Sequence, residues 1–457
     1  MVRYRRDHCR RTVVVAPDGA AHVAWPRLVL ALLIGIGAAA PAWPEDAPPA
    51  PETLPMTGLA VAELAVFDRT MTDLMQQQKL FGGALAVARN GRLMLSRGYG
   101  WADVAARQAV QPVSLFRIAS ISKPITAVAV LQLVERGKLK LDDKPFDLLP
   151  YARMRYANAK PDARLSQITV LQLLHHTGGW SWDNSPDPMF RTVEIARALG
   201  KRPPAGPRDI VRYMAGQPLD FDPGARHAYS NFGYCLLGRV IERVSGQAYE
   251  QYVQEQVLQP LGLTDMRLGK TLLADRAKNE VRYYEAGDRR ATAVVGPDFG
   301  KPVPQPYGAW WHETLDAHGG WIASAEDLVR FAAAFDNPAQ CPVLNAVSVA
   351  LMFARPPGAA GFEPNGAPKE VFYACGWSVR PVGPEAAGRA NHWHAGSLPA
   401  TATLLVRRYD GLIWAALFNT CNATAQSEPI TAIDARLHKA ADSVAGWPAG
   451  AALYPEK

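Results

Sequence analysis

"LFRIASISKPITAVAVLQLVERG", residues 115–137, is the stretch on which the reading of this chain turns. Ser120-Ile121-Ser122-Lys123 opens an apolar run that stops at Gly137. A spacing of three puts the Ser120 hydroxyl and the Lys123 amine on one face of a helix. Pro124 has no N–H to lose in a first turn, so the helix is predicted to begin near Ser120 and to cover Lys123–Arg136. Ser120 would then lie at the positive end of the helix dipole. Two readings compete: a serine nucleophile with a lysine base, or an N-cap serine beside a solvated lysine. The tetrapeptide does not separate them, so its company has to.

Two distant stretches supply that company. "FDPGARHAYSNFGYCLLGRVIERVSG" (221–246) carries Tyr229-Ser230-Asn231 ahead of a predicted helix, Phe232–Val244, closed by Gly246. "NHWHAGSLPA" (391–400) carries His394-Ala395-Gly396 leading into a predicted strand. The chain here resembles the penicillin-recognising serine hydrolases, a family of class C β-lactamases, DD-peptidases, D-aminopeptidases and esterases. Ser-x-x-Lys, Tyr-x-Asn and Lys- or His-x-Gly are its signatures, and all three occur in order. The flanks match as well: "GKLKLDDKPFDLLP", "ITVLQLLHHTGGW", "PLGLTDM" and "GGWIASAEDLVRFA", so that the resemblance covers roughly residues 60–445.

The resemblance implies an α+β, β-lactamase/transpeptidase-like fold and an acyl-enzyme on Ser120. Lys123 and Tyr229 would share the proton transfers, Lys123 serving as the cation that lowers the phenol's pKa. His394 would position or protonate the network, and Asn231 would hold the substrate amide or the Lys123 head group. Backbone N–H groups of Ser120 and Ser397 would form an oxyanion hole, each worth about 3 kcal/mol. Gly396 is expected at the substrate, and Trp180 and Trp182 at an apolar acyl pocket, although large aromatics in such loops also plug the core. No cofactor or metal is implied.

One departure bears on substrate. Ala395 has no hydroxyl where carboxylate-recognising relatives use one, which favours an ester or amide without a free carboxylate there. Arg389 or Arg407 is the candidate substitute anion partner. The function expected is therefore an ester- or amide-cleaving serine hydrolase of esterase or D-amino-acid peptidase or amidase type, acting on a small-molecule or peptide substrate, with cell-wall fragments among the candidates. The alternatives are a class C-like β-lactamase or DD-carboxypeptidase, and a non-catalytic penicillin-binding-like sensor.

The same residues admit a rival. His392 and His394 alternate onto one side of a strand, and with His175 or His176 they suggest a metal site. The "LLHHTGG" context argues instead that His176 is structural, and no third ligand stands at metal spacing.

The rest of the sequence frames this site. "ARNGRLM" and "RYDGLIW" each set Asn-Gly or Asp-Gly between β-type runs, which predicts two hairpins near opposite ends of the chain. Residues 116–336 between them read as helices and loops, so an antiparallel sheet from both chain ends with a helical insertion is predicted. Helices are expected also over Val61–Lys79, Val170–His175 (closed by Gly178-Gly179) and Pro429–Val444.

The chain has 457 residues and a formal charge of +7, from 49 basic and 42 acidic residues. Six Arg and two Asp fall within residues 1–42; the remainder, 43 against 40, carries only +3. With no basic stripe interleaved by aromatics, nucleic-acid binding has no support. Residues 1–42 combine a basic stretch, the apolar Leu28–Ala40 and Ala40-Pro41-Ala42, the pattern of a cleaved export signal. Periplasmic or secreted localisation is expected, with an uncleaved membrane anchor or an organelle-targeting sequence as the competing readings. A Pro-rich linker is expected over 43–58, the hydrolase domain over 59–445 and a tail over 446–457. Cys235 is read as a buried thiol, and one bridge among Cys341, Cys375 and Cys421 is left open. The Asn422-Ala423-Thr424 sequon reads as a chance match.

Overall fold

A computed structural model describes residues 54–285, 289–383, 388–421 and 429–454. The leader, the linker as far as residue 53 and the 422–424 sequon lie outside the described residues. Among the described residues no helix is long and apolar enough to cross a membrane.

The sheet is built as the hairpin signals predict. β1 (Gly82–Arg89) and β2 (Arg92–Asp103) are joined by Asn90 and Gly91, with φ of 50° and 72°. Both torsions suit the primed turn that matches strand twist, which is why Asn-Gly stands there. From the other end come β3 (Ser378–Pro381), β4 (Ala390–Leu398), β5 (Thr401–Arg407) and β6 (Leu412–Phe418). The spatial order β2-β1-β6-β5-β4-β3 is antiparallel throughout and seats the two chain ends side by side. Every residue of β5 and β6 is buried, as their sequences "TATLLVR" and "LIWAALF" require of strands covered on both faces. Full burial of one such Leu or Ile contributes about 1.5–3 kcal/mol.

On one face, α1 (Ala65–Gln78) packs with the C-terminal helix Pro429–Asp442. On the other lies Ala325–Ala333, capped by Ser324 in a capping box with Asp327. Beyond it sits the inserted region, where α2 (Ser122–Glu135), α3 (Val170–Leu174) and α4 (Asn231–Ser245) carry the motifs. That region also contains short strands, such as Trp321–Ala323 paired with Phe116–Arg117, which the reading as helices and loops did not foresee.

Several expected boundaries move. Residues 119–121 form a 3-10 turn, and the α-helix starts only at Ser122. α3 stops at Leu174 because His176 turns left-handed at φ 56°, ahead of the glycines expected to close it. The sheet claims residues from both supposed flanks: Met56–Thr57 pair with Tyr99 and Gly98, and Ala451–Ala452 pair with Leu93 and Arg92. Cys235, Cys341 and Cys375 are thiols, so Cys341 and Cys375 do not bridge.

Candidate active site

The nucleophile turn is set by one strained residue. Ala119 has φ 47°, a left-handed conformation that costs an L-residue roughly 1–2 kcal/mol. The turn is held by Ile118, whose N–H donates to the Trp321 carbonyl at 3.0 Å, and by Thr403 on β5, whose hydroxyl donates to the Ile118 carbonyl at 3.0 Å. Ser120 is thereby left half-exposed while Ile121, Ser122 and Lys123 are buried.

Lys123 is fully buried, and its Nζ lies 3.1 Å from Ser120 Oγ. It donates to Asn231 Oδ1 at 2.8 Å and to the His318 carbonyl at 2.9 Å. The His318 turn (Asp316–Gly319) is held on α4 by the buried Arg239–Asp316 ion pair, 2.5 Å. Burial drives the Lys123 amine well below its ordinary pKa, and the nearby Asp187 carboxylate partly opposes this. A lowered amine pKa suits a base and does not suit the phenolate-stabilising cation expected above.

Tyr229 precedes the N-cap of α4, where the Ser230 hydroxyl accepts from the Gly233 N–H at 3.2 Å. The Lys123 Nζ stands 4.7 Å from the Tyr229 ring centroid, and the Tyr229 hydroxyl lies close enough to Ser120 for that hydroxyl to influence its pKa. Burial raises this phenol's pKa, the Ser120 hydroxyl opposes the rise and Asp187 adds to it. The group is therefore a neutral phenol at ordinary pH. Beneath it lies His176, ring centroids 4.3 Å apart, whose Nδ1 accepts from the Ser230 N–H at 3.2 Å. His176 is structural here, holding the Tyr-Ser-Asn turn in place.

The opposite wall is β4. Its pairing with β3 ends at Trp393, so from His394 onward one edge has no strand partner among the described residues. A Cβ on Gly396 would fall 2.3 Å from the Ile118 carbonyl oxygen and 3.0 Å from Ala119 Cβ. Gly396 thus allows the strand to touch the nucleophile turn. Half-exposed Ser397 follows it on the strand.

His394 is buried and its ring has both nitrogens engaged. Nδ1 is 2.7 Å from the Ala395 carbonyl, which can only accept, so Nδ1 carries the proton. Nε2 therefore accepts from the Tyr373 hydroxyl at 3.0 Å. Burial, with the Lys123 charge second, lowers His394 to about 3, so the ring is neutral.

The remaining expected residues divide. Trp182 is half-exposed and meets Tyr229 edge-on at 5.4 Å, at the mouth of the cleft. Trp180 does not reach the site: it is buried edge-on against Phe232 at 4.8 Å and plugs the helical core. His392 lies against Phe353 at 4.2 Å and near Arg407, and His175 Nε2 faces Cys375 Sγ at 3.6 Å, so the proposed metal ligands do not converge. Arg407 is paired with Asp336 at 2.8 Å, and Arg389 stacks over Tyr409 at 4.4 Å; both candidate anion partners are engaged elsewhere.

Three groups at the site escaped sequence reasoning: Asp187, Tyr373 and the His318 carbonyl. Asp187 accepts from Asn231 Nδ2 at 2.8 Å and from the Met189 N–H at 3.0 Å.

A serine, a buried amine and a phenol between a helical region and a free strand edge define the serine-hydrolase class on the β-lactamase/transpeptidase-like fold. The fold recurs in D-amino acid amidase from Ochrobactrum anthropi SV3, with a TM-score of 0.60 and 19% identity over 84% of this chain and 99% of that one. It recurs also in the octameric penicillin-binding protein homologue from Pyrococcus abyssi, with a TM-score of 0.57 and 23% identity over 82% and 76%. The Beta-lactamase family model matches residues 67–437, and the chain belongs to that family. Esterase EstB of Burkholderia gladioli is 32% identical over 260 residues, 56% of this chain and 62% of its own length. Protein flp of Staphylococcus aureus (strain N315) is 29% identical over 233 residues, 51% and 43%. The chain spans about half the length of these curated relatives.

Proposed function

We propose that the protein hydrolyses an ester or amide through an acyl-enzyme on Ser120, and that its substrate presents no free carboxylate to the His394-Ala395-Gly396 strand. The observation that carries the reading is the setting of Lys123. As an amine it commits both hydrogens to oxygens that only accept, Asn231 Oδ1 and the His318 carbonyl, which directs its lone pair at Ser120.

Ser120 Oγ attacks the substrate carbonyl carbon while its proton passes to Lys123 Nζ. The N–H groups of Ser120 and Ser397 are the donors assigned to the oxyanion. As the scissile C–O or C–N bond breaks, the leaving group takes the Tyr229 phenolic proton, and the Lys123 ammonium restores it. Water then attacks the acyl carbon and gives a proton to Lys123, which returns one to Ser120 as the acid departs.

The limit on substrate is supported by the strand wall. His394 is neutral with both nitrogens bonded, Ala395 has no hydroxyl, and Arg389 and Arg407 are held elsewhere. Esterase and amidase relatives point the same way. Export is part of the proposal and rests on the leader sequence alone; N-terminal sequencing of protein recovered outside the cytoplasm tests it.

The decisive experiment is a hydrolysis panel of p-nitrophenyl esters, D-amino-acid amides, D-Ala-D-Ala peptides and nitrocefin, run on wild type and Ser120→Ala. Turnover of the esters or amides that Ser120→Ala abolishes is expected. Fast nitrocefin or D-Ala-D-Ala cleavage would move the reading to a β-lactamase or DD-carboxypeptidase. Folded wild type that turns over nothing and takes no fluorophosphonate at Ser120 would leave a non-catalytic sensor.

A further inference from the structure

We infer that Asp187 is a positioning residue that aims the Lys123 base at Ser120 through the amide of Asn231. The inference rests on the Ser120–Lys123 reading above. An asparagine side chain between two polar partners has two orientations, and only its neighbours decide between them. Burial raises the Asp187 pKa, while the hydrogen bonds from Asn231 and Met189 and the Lys123 charge oppose the rise. As a carboxylate its Oδ2 only accepts, so Asn231 turns its Nδ2 toward it at 2.8 Å and presents Oδ1 to Lys123 at 2.8 Å. The reverse orientation would set a carbonyl against a carboxylate and turn an amide N–H toward the Lys123 amine, where it would compete with Ser120 for the lone pair. With Oδ1 in place and the His318 carbonyl at 2.9 Å, the remaining position on Nζ points to Ser120.

Asp187 is itself held. Its Oδ1 accepts from the Met189 N–H at 3.0 Å, capping the turn Pro188–Phe190, which packs on α4. The arrangement runs from Asp187 through Asn231 and Lys123 to Ser120, and the acceptor-only oxygens of Asp187 and the His318 carbonyl fix the sense of the bonds made by Asn231 and Lys123.

Charge makes the role testable apart from packing. The groups around Lys123 Nζ are Ser120 and Asn231, the rings of Tyr229 and Tyr234, the carbonyl and ring of His318, His176, His394 and Asp187. Burial holds all three histidines neutral, and Asp187 is the carboxylate that favours the ammonium form of Lys123. Removing that charge must lower the pKa of Lys123 further, so a limb governed by the free amine moves to lower pH.

The test is the rate of Ser120 labelling by a fluorophosphonate as a function of pH, for wild type, Asp187→Asn and Asp187→Ala, each checked for folding by thermal melt. Asp187→Asn keeps an acceptor for Asn231 and loses the charge. A drop of about tenfold or less in its plateau rate is expected, with the acid limb displaced to lower pH. Asp187→Ala frees the Asn231 amide to turn, and a loss of about 10²-fold is expected. Unlabelled wild type would overturn the parent reading and this one with it. Normally labelled wild type, with both variants within twofold of it or with an acid limb left in place or moved upward in Asp187→Asn, would overturn this inference alone. If Asp187→Ala does not fold, the limb of Asp187→Asn still decides.

Discussion

The two walls of the cleft keep their charge differently. The helical wall, from α2 and α4, holds a buried amine, a carboxylate and the amide between them, joined by directed hydrogen bonds. The strand wall, from β4, holds an imidazole that burial keeps neutral and whose two nitrogens are satisfied by Tyr373 and the Ala395 carbonyl. In the proposed reaction, proton transfer is confined to the wall where a helix's three-residue spacing fixes the partners. On that proposal the strand supplies contour and the Ser397 backbone donor. A neutral strand wall leaves the reacting carbonyl to be polarised by the backbone donors without a second charge that would compete for Lys123.

The largest effect expected is on the helical wall. Lys123→Met should lower kcat by about 10³-fold or more, because it removes the base that Ser120 needs. Its melting temperature should fall, because the better fit of an apolar side chain to a fully buried position is offset by the loss of the donor to Asn231 Oδ1 and the His318 carbonyl, about 1–3 kcal/mol for each acceptor left unpaired. A variant that keeps a tenth of the wild-type rate would show that another group takes the serine proton and would break the contrast between the walls.

Next comes the contact between the walls. Gly396→Ala places a methyl 2.3 Å from the Ile118 carbonyl oxygen, on backbone that cannot rotate away. The strand must retreat from the nucleophile turn. A misplacement of about 1 Å there is worth roughly 10² in rate, and the overpacking about 1–3 kcal/mol of stability. Unchanged kinetics in this variant would mean that the distance from strand to serine does not matter to the reaction.

What could be read in the sequence follows the range of the interactions. Asn90-Gly91 and Asp410-Gly411 announce hairpins because turn torsions are decided within two residues, and the sheet of joined chain ends follows from them. Ser120 and Lys123 are neighbours at equally short range, but their role is legible only through the distant Tyr229-Ser230-Asn231 and His394-Ala395-Gly396 stretches. Asp187 meets Asn231 across 44 positions, Tyr373 meets His394 across 21, and the His318 carbonyl is backbone, which leaves no mark on residue identity. Trp180 and Trp182 show the limit within a single loop. Both belong to "GGWSW", yet only the packing of Phe232 shows that the first is core and the second faces Tyr229.

The neutral histidines should also appear in stability. Burial lowers His394 to about 3 and His175 to about 4, whereas in the unfolded chain each protonates near 6.5. Between those values the unfolded state binds more protons, so stability is fully present above about 6.5 and is lost as pH falls. The slope is roughly 1.4 kcal/mol per pH unit for each ring. Thermal melts from pH 7 to 4 should show it, and a His175→Gln variant should have a shallower dependence. An unchanged slope would mean that His175 is already charged in the folded protein.

The smallest effect expected is on the strand wall itself. Tyr373→Phe removes the hydroxyl donated to His394 Nε2 and leaves a buried acceptor unpaired, a cost of about 1–3 kcal/mol. The ring cannot recover by turning, because Nδ1 would then give up the Ala395 carbonyl 2.7 Å away. The imidazole therefore stays in its tautomer with a vacant lone pair, and the melting temperature falls. Since His394 moves no proton in the proposed reaction, kcat should change by only about threefold, far less than at Lys123. A loss in kcat comparable to that of Lys123→Met, with the fold intact, would place Tyr373 and His394 in the path of the proton and make the two walls equal partners in the chemistry.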